Sequence, residues 1–348
     1  MDSGTTNTII YSAAATTPAI NRAWAKNVVY AALKRACKEA EPEVNNMPKW
    51  LEQKILTRFG HQGVTTCHQA WTHQPEHIHI RVNRQKETRG AYHEKLLNTG
   101  IKASECSRAP YSIIAPSKDI CRLPGLNQGT IYIQDSTHQN IAQQLPKLRD
   151  NAYVLDACAA PGGKSTAILE QDPNIKLLAL DISNEKTAIL KSNLQTYPQA
   201  VIQQADATQS DTWWNGTPFD AIICDAPCSG SAIIQKHPEI KRIQCPENIQ
   251  YLQETQITLL KSLWKTLGNG GFLLYSTCSI LPEENEDCIN ALLSAQGSEA
   301  KLIQSEVFLP SQVYAGGYYA LIEKRGATEL STKLSTIVND NHSHLRGS

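Results

Sequence analysis

The 348-residue sequence has no long apolar run and no secretory start. No segment approaches the roughly 18 consecutive apolar residues that a membrane span requires. The opening, MDSGTTNTIIYSAAATTPAI, lacks the basic region and apolar core of a signal peptide, which favours a cytoplasmic protein with no membrane partner. The ten cysteines lack the compact, even spacing of a disulfide framework, so we expect reduced thiols, some of them reactive.

The sequence also lacks net charge, with 33 Lys and Arg against 33 Asp and Glu. Nucleic-acid-binding proteins usually show a basic excess. The charge is nevertheless divided unevenly: residues 1–150 carry 19 basic and 12 acidic side chains, a net +7, and residues 151–348 carry the remaining 14 and 21, a net −7. This division favours a module that docks on a polyanion, joined to a catalytic domain that holds a cationic cofactor. Chance segregation of surface charge is the alternative.

Two helices are predicted before the first strand. Residues 21–40 place apolar side chains at helical spacing, which predicts an amphipathic helix within a helical segment and linker over residues 1–45. Pro48 opens a second helix, KWLEQKILTRFG, that ends at Gly60. This second helix belongs to a predicted α+β subdomain over residues 46–148.

The segment HIHIRVNR alternates polar and apolar residues, which predicts a half-buried strand. His77, His79, Arg81 and Asn83 share its polar face. The two histidines could bind a metal, but no further ligand at suitable spacing accompanies them, so a solvated or phosphate-facing face is favoured. Arg81 and Arg84 are therefore candidates for phosphate contact.

From residue 152 onward, short apolar strands alternate with helices. This pattern predicts an α/β domain over residues 149–326 with a doubly wound, Rossmann-like sheet, mostly parallel with an antiparallel last strand. The predicted strands are YVLDAC, KLLALDI, AVIQQAD, DAIICDAP, GGFLLYSTC and GGYYALIEK. Ligands of such sheets bind beyond the carboxyl ends of the strands. The polar residues 327–348 predict a flexible tail.

A small-residue turn follows the first of these strands, in LDACAAPGGKST. Small residues let the backbone approach a ligand closely. The ending GKST also resembles a phosphate-binding P-loop, but that pattern needs a glycine five positions before Gly163, where this chain has Cys158. The dinucleotide pattern G-x-G-x-x-G is absent as well. A P-loop-like NTPase is therefore the less favoured alternative.

Acidic residues stand at or just after the ends of three successive strands, as Asp181, Asp206 and Asp225. One such carboxylate commonly binds a pair of ribose hydroxyls, because two acceptor oxygens match two donors. A series of carboxylates would repel a polyphosphate but tolerate a sulfonium. The series therefore favours S-adenosylmethionine over ATP or NAD, although each Asp alone is more often a cap or turn residue.

Two cysteines, Cys228 in DAPCSG and Cys278 in YSTCS, follow strands into turns at the same crevice. A free cysteine is usually a small core residue. We apply that interpretation to the other eight: Cys37, Cys67, Cys106, Cys121, Cys158, Cys224, Cys245 and Cys288. A zinc site from Cys224, Cys228, His237 and Cys245 is conceivable, but the irregular spacing argues against it, and no metal is predicted.

The chemistry of a thiolate explains why an enzyme that uses S-adenosylmethionine would need a cysteine. Carbon 5 of cytosine is a poor nucleophile, but attack by a thiolate at carbon 6 converts the ring to an enamine whose carbon 5 can accept a methyl group. Removal of the carbon 5 proton then expels the thiolate. A carboxyl group near N3 assists by favouring the protonated adduct. The residues themselves do not decide which of the two cysteines is the nucleophile.

The three motifs LDACAAPGGKST, DAPCSGSAIIQKHPEIK and YSTCSILPEENE resemble the RsmB/Nop2/Sun family of RNA cytosine-5 methyltransferases. MPKWLEQKI, IHIRVNR, LPGLNQGTIYIQDSTHQ and GGYYALIEK are similar to the bacterial branch of that family, which acts on small-subunit (16S) ribosomal RNA. The resemblance covers roughly residues 46–325. That branch begins with a helical domain similar to antitermination factors, of which we expect only the last helix, near residues 21–40.

The resemblance implies a role for each motif residue. The nucleophile would be Cys278, Cys228 would help to release product, and Lys164 and Asp225 would orient and polarise the base. The residues implied in S-adenosylmethionine binding are Cys158, Ala159, Ala160, Pro161, Gly162, Gly163, Lys164, Asp181, Asp206 and Asp225.

The sequence departs from the family at Ser231-Ala232 and in the stretch from Gln235 to Pro238, positions that we expect to face RNA. The candidate phosphate contacts are Arg81, Arg84, Lys236, Lys241 and Arg242. Docking on the RNA would use residues 46–148 or a separate docking protein. An RNA-binding assembly factor on an inactive methyltransferase scaffold is the other alternative, and the intact motif residues argue against it.

Overall fold

The computed structural model describes residues 47–72 and 75–326. The chain divides into two units, Met1–Met47 and Pro48–Ser348, and the following concerns the second. The helix predicted over residues 21–40 and the tail predicted over residues 327–348 lie outside the described residues. No helix in the described part is long and apolar enough to cross a membrane.

The first part of this unit is a small α+β subdomain. Its helices are α1 (Lys49–Trp71) and α2 (Arg89–Asn98). Its four strands are β1 (His77–Val82), β2 (Ser104–Glu105), β3 (Ser112–Pro116) and β4 (Ile131–Ile133). They form an antiparallel sheet in the order β2-β3-β1-β4. Ile80, Val82, Tyr92, Leu96 and Ile113 are among the side chains of its core.

Helix α1 is interrupted where the sequence predicts its end. Gly60 has φ +66° and ψ −170°, a conformation that favours glycine. The predicted break is confirmed, but the chain resumes a helix after Gly60 and continues to Trp71. Buried residues such as Cys67 and Ala70 stabilise this second half against the rest of the unit.

From His79 to Val82, strand β1 is buried on both faces, so the prediction of a half-buried strand is wrong there, and only His77 at its start is exposed. His79, Arg81 and Asn83 are 3%, 3% and 1% exposed. The apolar face packs in the core of the subdomain, and the polar face lies against the second domain, where Asn83 donates to the Tyr197 hydroxyl at 3.1 Å. Sequence alternation identifies two faces of a strand, but not what covers the polar one.

The second part is an α/β domain that follows the connecting helix α3 (Ser136–Ala142). Its strands are β5 (Tyr153–Asp156), β6 (Lys176–Asp181), β7 (Ala200–Gln204), β8 (Phe219–Asp225), β9 (Leu267–Thr277), β10 (Ala300–Phe308) and β11 (Gly317–Lys324). Its helices are α4 (Gly163–Gln171), α5 (Asn184–Leu194), α6 (Ile240–Ile243), α7 (Pro246–Thr266) and α8 (Glu286–Gln296).

The sheet has the order β10-β11-β9-β8-β5-β6-β7, which confirms the predicted fold class. Strands β5 to β9 run parallel and β11 is antiparallel to β9. Helices cover both faces, over two clusters of buried apolar side chains. The strand order reverses between β5 and β8, and a crevice opens beyond their carboxyl ends, as expected at a topological switch point. The largely exposed strand β10 was not predicted.

Candidate active site

A cavity of about 250 Å³ lies beyond the carboxyl ends of β5, β8 and β9. Residues from both subdomains line it, because α3 and the chain just before it close one side. Asp156, Lys164, Asp225 and Cys278 come from the sheet side, and His138 comes from α3. The cavity therefore brings together Lys164, Asp225 and Cys278 from the three motifs, whereas Asp181 and Asp206 do not line it.

The turn over residues 158–163 passes directly from β5 into α4. Gly162 has φ +106°, and a Cβ there would stand 3.1 Å from Leu190 Cδ1, so both conformation and packing require glycine. Beneath the turn, the Ser165 hydroxyl donates to Asp156 Oδ2 at 2.6 Å. Asp156 Oδ1 is buried and has no hydrogen-bond partner in the described part of the chain. Burial raises the pKa of Asp156 to about 7.

Asp181 and Asp206 follow β6 and β7, on the opposite side of β5 from Asp225. Asp181 accepts backbone N–H bonds from Ala160 at 3.3 Å and Ser183 at 2.9 Å. Asp206 accepts from Thr208 N–H at 2.9 Å. Both carboxylates thus hold local turns, as single Asp residues commonly do. The bond from Ala160 also ties Asp181 to the turn over residues 158–163.

Lys164 and Asp225 form a short ion pair at the base of the cavity. Lys164 Nζ lies 2.5 Å from Asp225 Oδ2, and the Ser276 hydroxyl donates to Asp225 Oδ1 at 2.8 Å. Lys164 is 7% exposed, whereas the side chain of Asp225 is 33% exposed and opens on the cavity. Burial acts to raise the pKa of Asp225, but Lys164 and His138 outweigh it and lower that pKa, so the carboxylate stays ionised.

The two motif cysteines meet at this point. The backbone N–H of Cys278 donates to Cys228 Sγ at 3.2 Å, and Cys278 Sγ lies 3.5 Å from His138 Nε2. A hydrogen bond from Cys228 and the nearby His138 ring hold the pKa of Cys278 well below its usual range, although burial opposes them. The same bond and burial raise the pKa of Cys228 well above its usual range. Of the pair, Cys278 therefore has the lower pKa.

A buried glutamate joins the two cysteine-bearing loops. Glu284 is fully buried, and it accepts from the Ser229 N–H at 2.7 Å, from the Ser229 hydroxyl at 2.6 Å and from the Ser279 hydroxyl. Burial raises the pKa of Glu284. Because Ser229 follows Cys228 and Ser279 follows Cys278, one carboxyl group fixes the loops relative to each other.

Sequence reasoning missed Glu284 and His138. Glu284 lies in the motif YSTCSILPEENE, where its acidic neighbours conceal that it is the buried residue. His138 lies in IQDSTHQ, a segment that resembles the family but in which the resemblance implies no role for the histidine. Neither position has a local signal, because each side chain acquires its partner from a distant segment.

The candidate phosphate contacts divide by exposure. Arg81 is buried in an ion pair with Glu170, 2.6 Å between Nη1 and Oε2, so the prediction that it contacts phosphate is wrong in this structure. Arg84 is half-buried and donates to the Tyr111 hydroxyl at 3.0 Å.

The other three candidates lie on one segment of the chain. Lys236 borders the cavity, paired with Asp135 at 2.9 Å. Lys241 is half-buried and Arg242 is exposed on the short helix α6.

The positions where the sequence departs from its family are not all surface positions. Ser231, Ala232 and Gln235 are 2%, 0% and 3% exposed, so the expectation that they face RNA is wrong. The Ser231 hydroxyl lies 2.9 Å from that of Ser279 and joins the two cysteine loops, like Glu284. Within residues 47–72 and 75–326, no group of three or more His, Cys, Asp or Glu side chains could hold a metal ion.

Two family models match the chain. The model described as 16S rRNA methyltransferase RsmB/F matches residues 143–324, and the model for the ferredoxin-like domain of RsmF/B-like methyltransferases matches residues 47–118. Ribosomal RNA small subunit methyltransferase B of Pseudomonas syringae pv. tomato is 35% identical over 81% of this chain, which spans 65% of that relative's length. The probable ribosomal RNA small subunit methyltransferase B of Coxiella burnetii is 36% identical over 83% of this chain and 70% of its own length.

Solved structures share the fold. NSun6 from Pyrococcus horikoshii has a TM-score of 0.71 at 18% identity, covering 81% of this chain and 100% of that one. A methyltransferase homolog protein from the same organism has a TM-score of 0.69 at 21% identity, over 82% and 100%. Together with the sequence matches, these findings place the chain in the 16S rRNA methyltransferase RsmB/F family.

Proposed function

We propose that this chain transfers a methyl group from S-adenosylmethionine to carbon 5 of a cytosine in RNA, with Cys278 as the nucleophile. The RNA that we propose as its substrate is 16S ribosomal RNA. The observation that carries the proposal is the convergence of Cys278, Lys164 and Asp225 on one cavity at the switch point of the sheet, with Cys228 in contact with Cys278 behind it. Methylation of a nitrogen needs no thiolate, so this constellation favours carbon as the acceptor.

The residues of the crevice fit the proposed cofactor. The turn over residues 158–163 brings backbone close to the crevice, and Asp156 Oδ1, buried at the cavity without a described partner, can accept from the ammonium group of the methionine part. Asp181 offers a carboxylate for the ribose hydroxyls, and the neighbouring Ile182, 66% exposed, offers an apolar surface for the adenine. The NSun6 structure was solved with SFG, an S-adenosylmethionine analogue. When bound, the cofactor supplies the electrophilic methyl group.

The side chains of the cavity then divide the work. Cys278, the thiolate of the pair, attacks carbon 6 of the cytosine, and the electrons of the 5,6 double bond move to carbon 5. Water supplies a proton to N3 of the adduct, and Asp225, kept ionised by Lys164, accepts a hydrogen bond from the resulting N3–H and so stabilises the adduct. After methylation, water takes the carbon 5 proton, the 5,6 double bond re-forms as the carbon 6–sulfur bond breaks, the thiolate leaves, and the N3 proton returns to solvent. Cys228, which remains a thiol beside Cys278, assists this release.

RNA docking would use the surface around the cavity mouth. Lys236, Lys241 and Arg242 lie on one segment after the Cys228 loop, where cationic groups can contact phosphates. The target cytosine must leave a stack or lie in a single strand to reach Cys278. A separate docking protein could add to this surface.

The test supplies labelled S-adenosylmethionine and unmodified 16S RNA to the wild type, Cys278→Ala and Cys228→Ala, followed by nucleoside analysis. We expect 5-methylcytosine with the wild type, none with Cys278→Ala, and protein-bound RNA accumulating with Cys228→Ala. Product formation by Cys278→Ala contradicts the assignment of the nucleophile. Cofactor binding without methylation of any RNA supports the assembly-factor alternative, and failure to bind the cofactor contradicts the proposal as a whole.

A further inference from the structure

His138 is a histidine that lines the cavity of the candidate active site. Neither the motifs nor the proposed reaction assigns it a role. It lies on α3, in the connection between the subdomains, and contacts Cys278. Its Nε2 stands 3.5 Å from Cys278 Sγ, within hydrogen-bond distance for sulfur. The imidazole is 9% exposed, so little water competes for this contact.

The helix that carries His138 is held firmly. Asp135, at its N-cap, accepts from Thr137 N–H at 3.0 Å, Lys236 Nζ at 2.9 Å and Ala315 N–H at 3.1 Å. The Thr137 hydroxyl donates to the Ala315 carbonyl at 2.8 Å. The position of the imidazole over Cys278 is therefore set by bonds to two other segments of the chain, not by its own side chain alone.

The two ring nitrogens of His138 differ in their contacts. His138 Nδ1 is buried and has no hydrogen-bond partner in the part of the chain that the structure describes. No carboxylate is bonded to it there, unlike the histidine of a Ser-His-Asp triad. The polar contact of the ring is thus with the thiol, and a proton moving between Sγ and Nε2 converts a neutral pair into a thiolate and an imidazolium.

We propose that His138 is the proton acceptor for Cys278, forming a Cys–His dyad that generates and stores the nucleophile before RNA binds. This inference rests on the proposed function in taking Cys278 as the nucleophile. In the activating step the S–H bond breaks, its electron pair stays on sulfur, and the proton bonds to Nε2. When the carbon 6–sulfur bond breaks at the end of the reaction, its electron pair returns to sulfur and the thiolate can take the proton back from His138.

The charged surroundings agree with such a pair. Around the dyad stand Lys164 and Asp225 from the sheet side, Asp135 at the start of the same helix, and Cys228. Burial and Lys164 act to lower the pKa of His138, but Cys278 and Asp225 raise it on balance. A histidine held next to a thiol in this way lowers the pKa of the thiol, as in other Cys–His sites.

The test measures the thiolate directly, in protein free of RNA and cofactor. The rate of alkylation of Cys278 by iodoacetamide is followed between about pH 5 and pH 9 by peptide mass spectrometry. Cys121, an exposed free thiol, serves as the reference within each sample. We expect Cys278 of the wild type to react at a rate that is nearly constant around neutrality.

The variant His138→Gln keeps a hydrogen-bonding side chain that does not titrate in this range. It should raise the pKa of Cys278 and slow its alkylation at neutral pH by about tenfold or more, with Cys121 unaffected. Cys228→Ser should retain a pH-independent phase at Cys278, which separates the histidine from the neighbouring thiol. His61→Gln, an exposed histidine on α1, is the matched control and should leave the profile unchanged.

Each outcome decides the question. If Cys278 of the wild type titrates like Cys121, or if His138→Gln leaves its profile unaltered, the dyad is wrong. The wild-type comparison stands even if the variant does not fold. If the profile shifts as expected but Cys278→Ala still forms 5-methylcytosine, the dyad stands and the proposed nucleophile fails. If the dyad is absent and Cys278→Ala is inactive, the proposed function stands without it.

Discussion

Two clusters of buried charge lie one on either side of α4, and they are built differently. In the first, Arg81 bonds Glu170 and the Thr166 hydroxyl, each at 2.6 Å, and its guanidinium lies 4.5 Å from the centre of the Tyr132 ring. In the second, Lys164 and Asp225 are equally close, but Asp225 is one-third exposed on a cavity that Cys278 also lines.

The difference separates structure from chemistry. In the Arg81 cluster both terminal nitrogens of the guanidinium have partners within the protein, and only Nε has none among the described residues. In the crevice cluster, two residues that line the cavity, Asp156 and His138, each keep a buried atom without a described partner, Oδ1 and Nδ1. Closed networks stabilise a fold, whereas polar groups left facing a cavity are available to a ligand.

The largest expected effect lies in the crevice cluster. Lys164→Met should reduce the single-turnover rate of methyl transfer by about a thousandfold, because Asp225 loses the charge that keeps it ionised and oriented. The free energy of unfolding should change far less than it does when Arg81 is replaced. Lys191→Met, an exposed lysine on α5, is the control and should behave as wild type. Wild-type turnover by the Lys164 variant would place this pair with the structural cluster.

Arg81→Met should do the reverse. Removing one partner leaves Glu170 buried without its counter-charge, which lowers the free energy of unfolding by about 3–5 kcal/mol. The folded fraction should retain its cofactor-dependent activity. Lys301→Met, which breaks a solvent-accessible pair with Glu323, should cost no more than about 1 kcal/mol in the same denaturant experiment. Equal losses for the two variants would contradict the distinction.

Asp156 provides a pH test of the open cluster. Its pKa in the folded protein is about 7, raised by burial from 3.8, so the native state binds its proton more tightly than the unfolded state does. The resulting stabilisation is fully present below about pH 4 and is lost as pH rises to about 7. Relative to wild type, Asp156→Asn should therefore gain stability over that interval, by up to about 4 kcal/mol. A pH-independent difference in denaturation midpoint between the two proteins would contradict this.

The smallest effect concerns RNA binding. Arg242→Ala should reduce the slope of log affinity against log salt by about one, because an exposed cation near the cavity mouth releases one counterion on binding. The folded Arg81→Met protein should keep the wild-type slope, because the guanidinium of Arg81 in the wild type does not reach solvent. A changed slope for Arg81 would restore it as a phosphate contact.

The sequence was sufficient for what local pattern determines. Apolar strands alternating with helices predicted the order and type of nearly all elements from β5 to β11. The positions of Asp225, Cys228 and Cys278 after strands predicted that these three meet, and the family resemblance added Lys164. Strand β10 escaped because it is an edge strand with mostly exposed, polar side chains and so has no apolar signature.

What could not be predicted depends on contacts between distant segments. Arg81 has the sequence context of a solvated strand residue, and only the arrival of α4 buries it. Ser231 and Gln235 follow a catalytic motif, yet the loop turns them inward. His138 precedes its partner Cys278 by 140 residues. Such pairings have no periodicity, because they follow from the packing of whole elements.

Glu284 links the two loops that carry Cys228 and Cys278. Its carboxyl group bonds Ser229 and Ser279 at once, and the Ser231–Ser279 bond adds a second link, so the separation between Cys228 and Cys278 depends on contacts between the loops and not on either loop alone. A change in one loop is therefore transmitted to the other. An engineered chimera that exchanges one of these loops would have to carry the other, and the segment with Glu284, as one indivisible cassette.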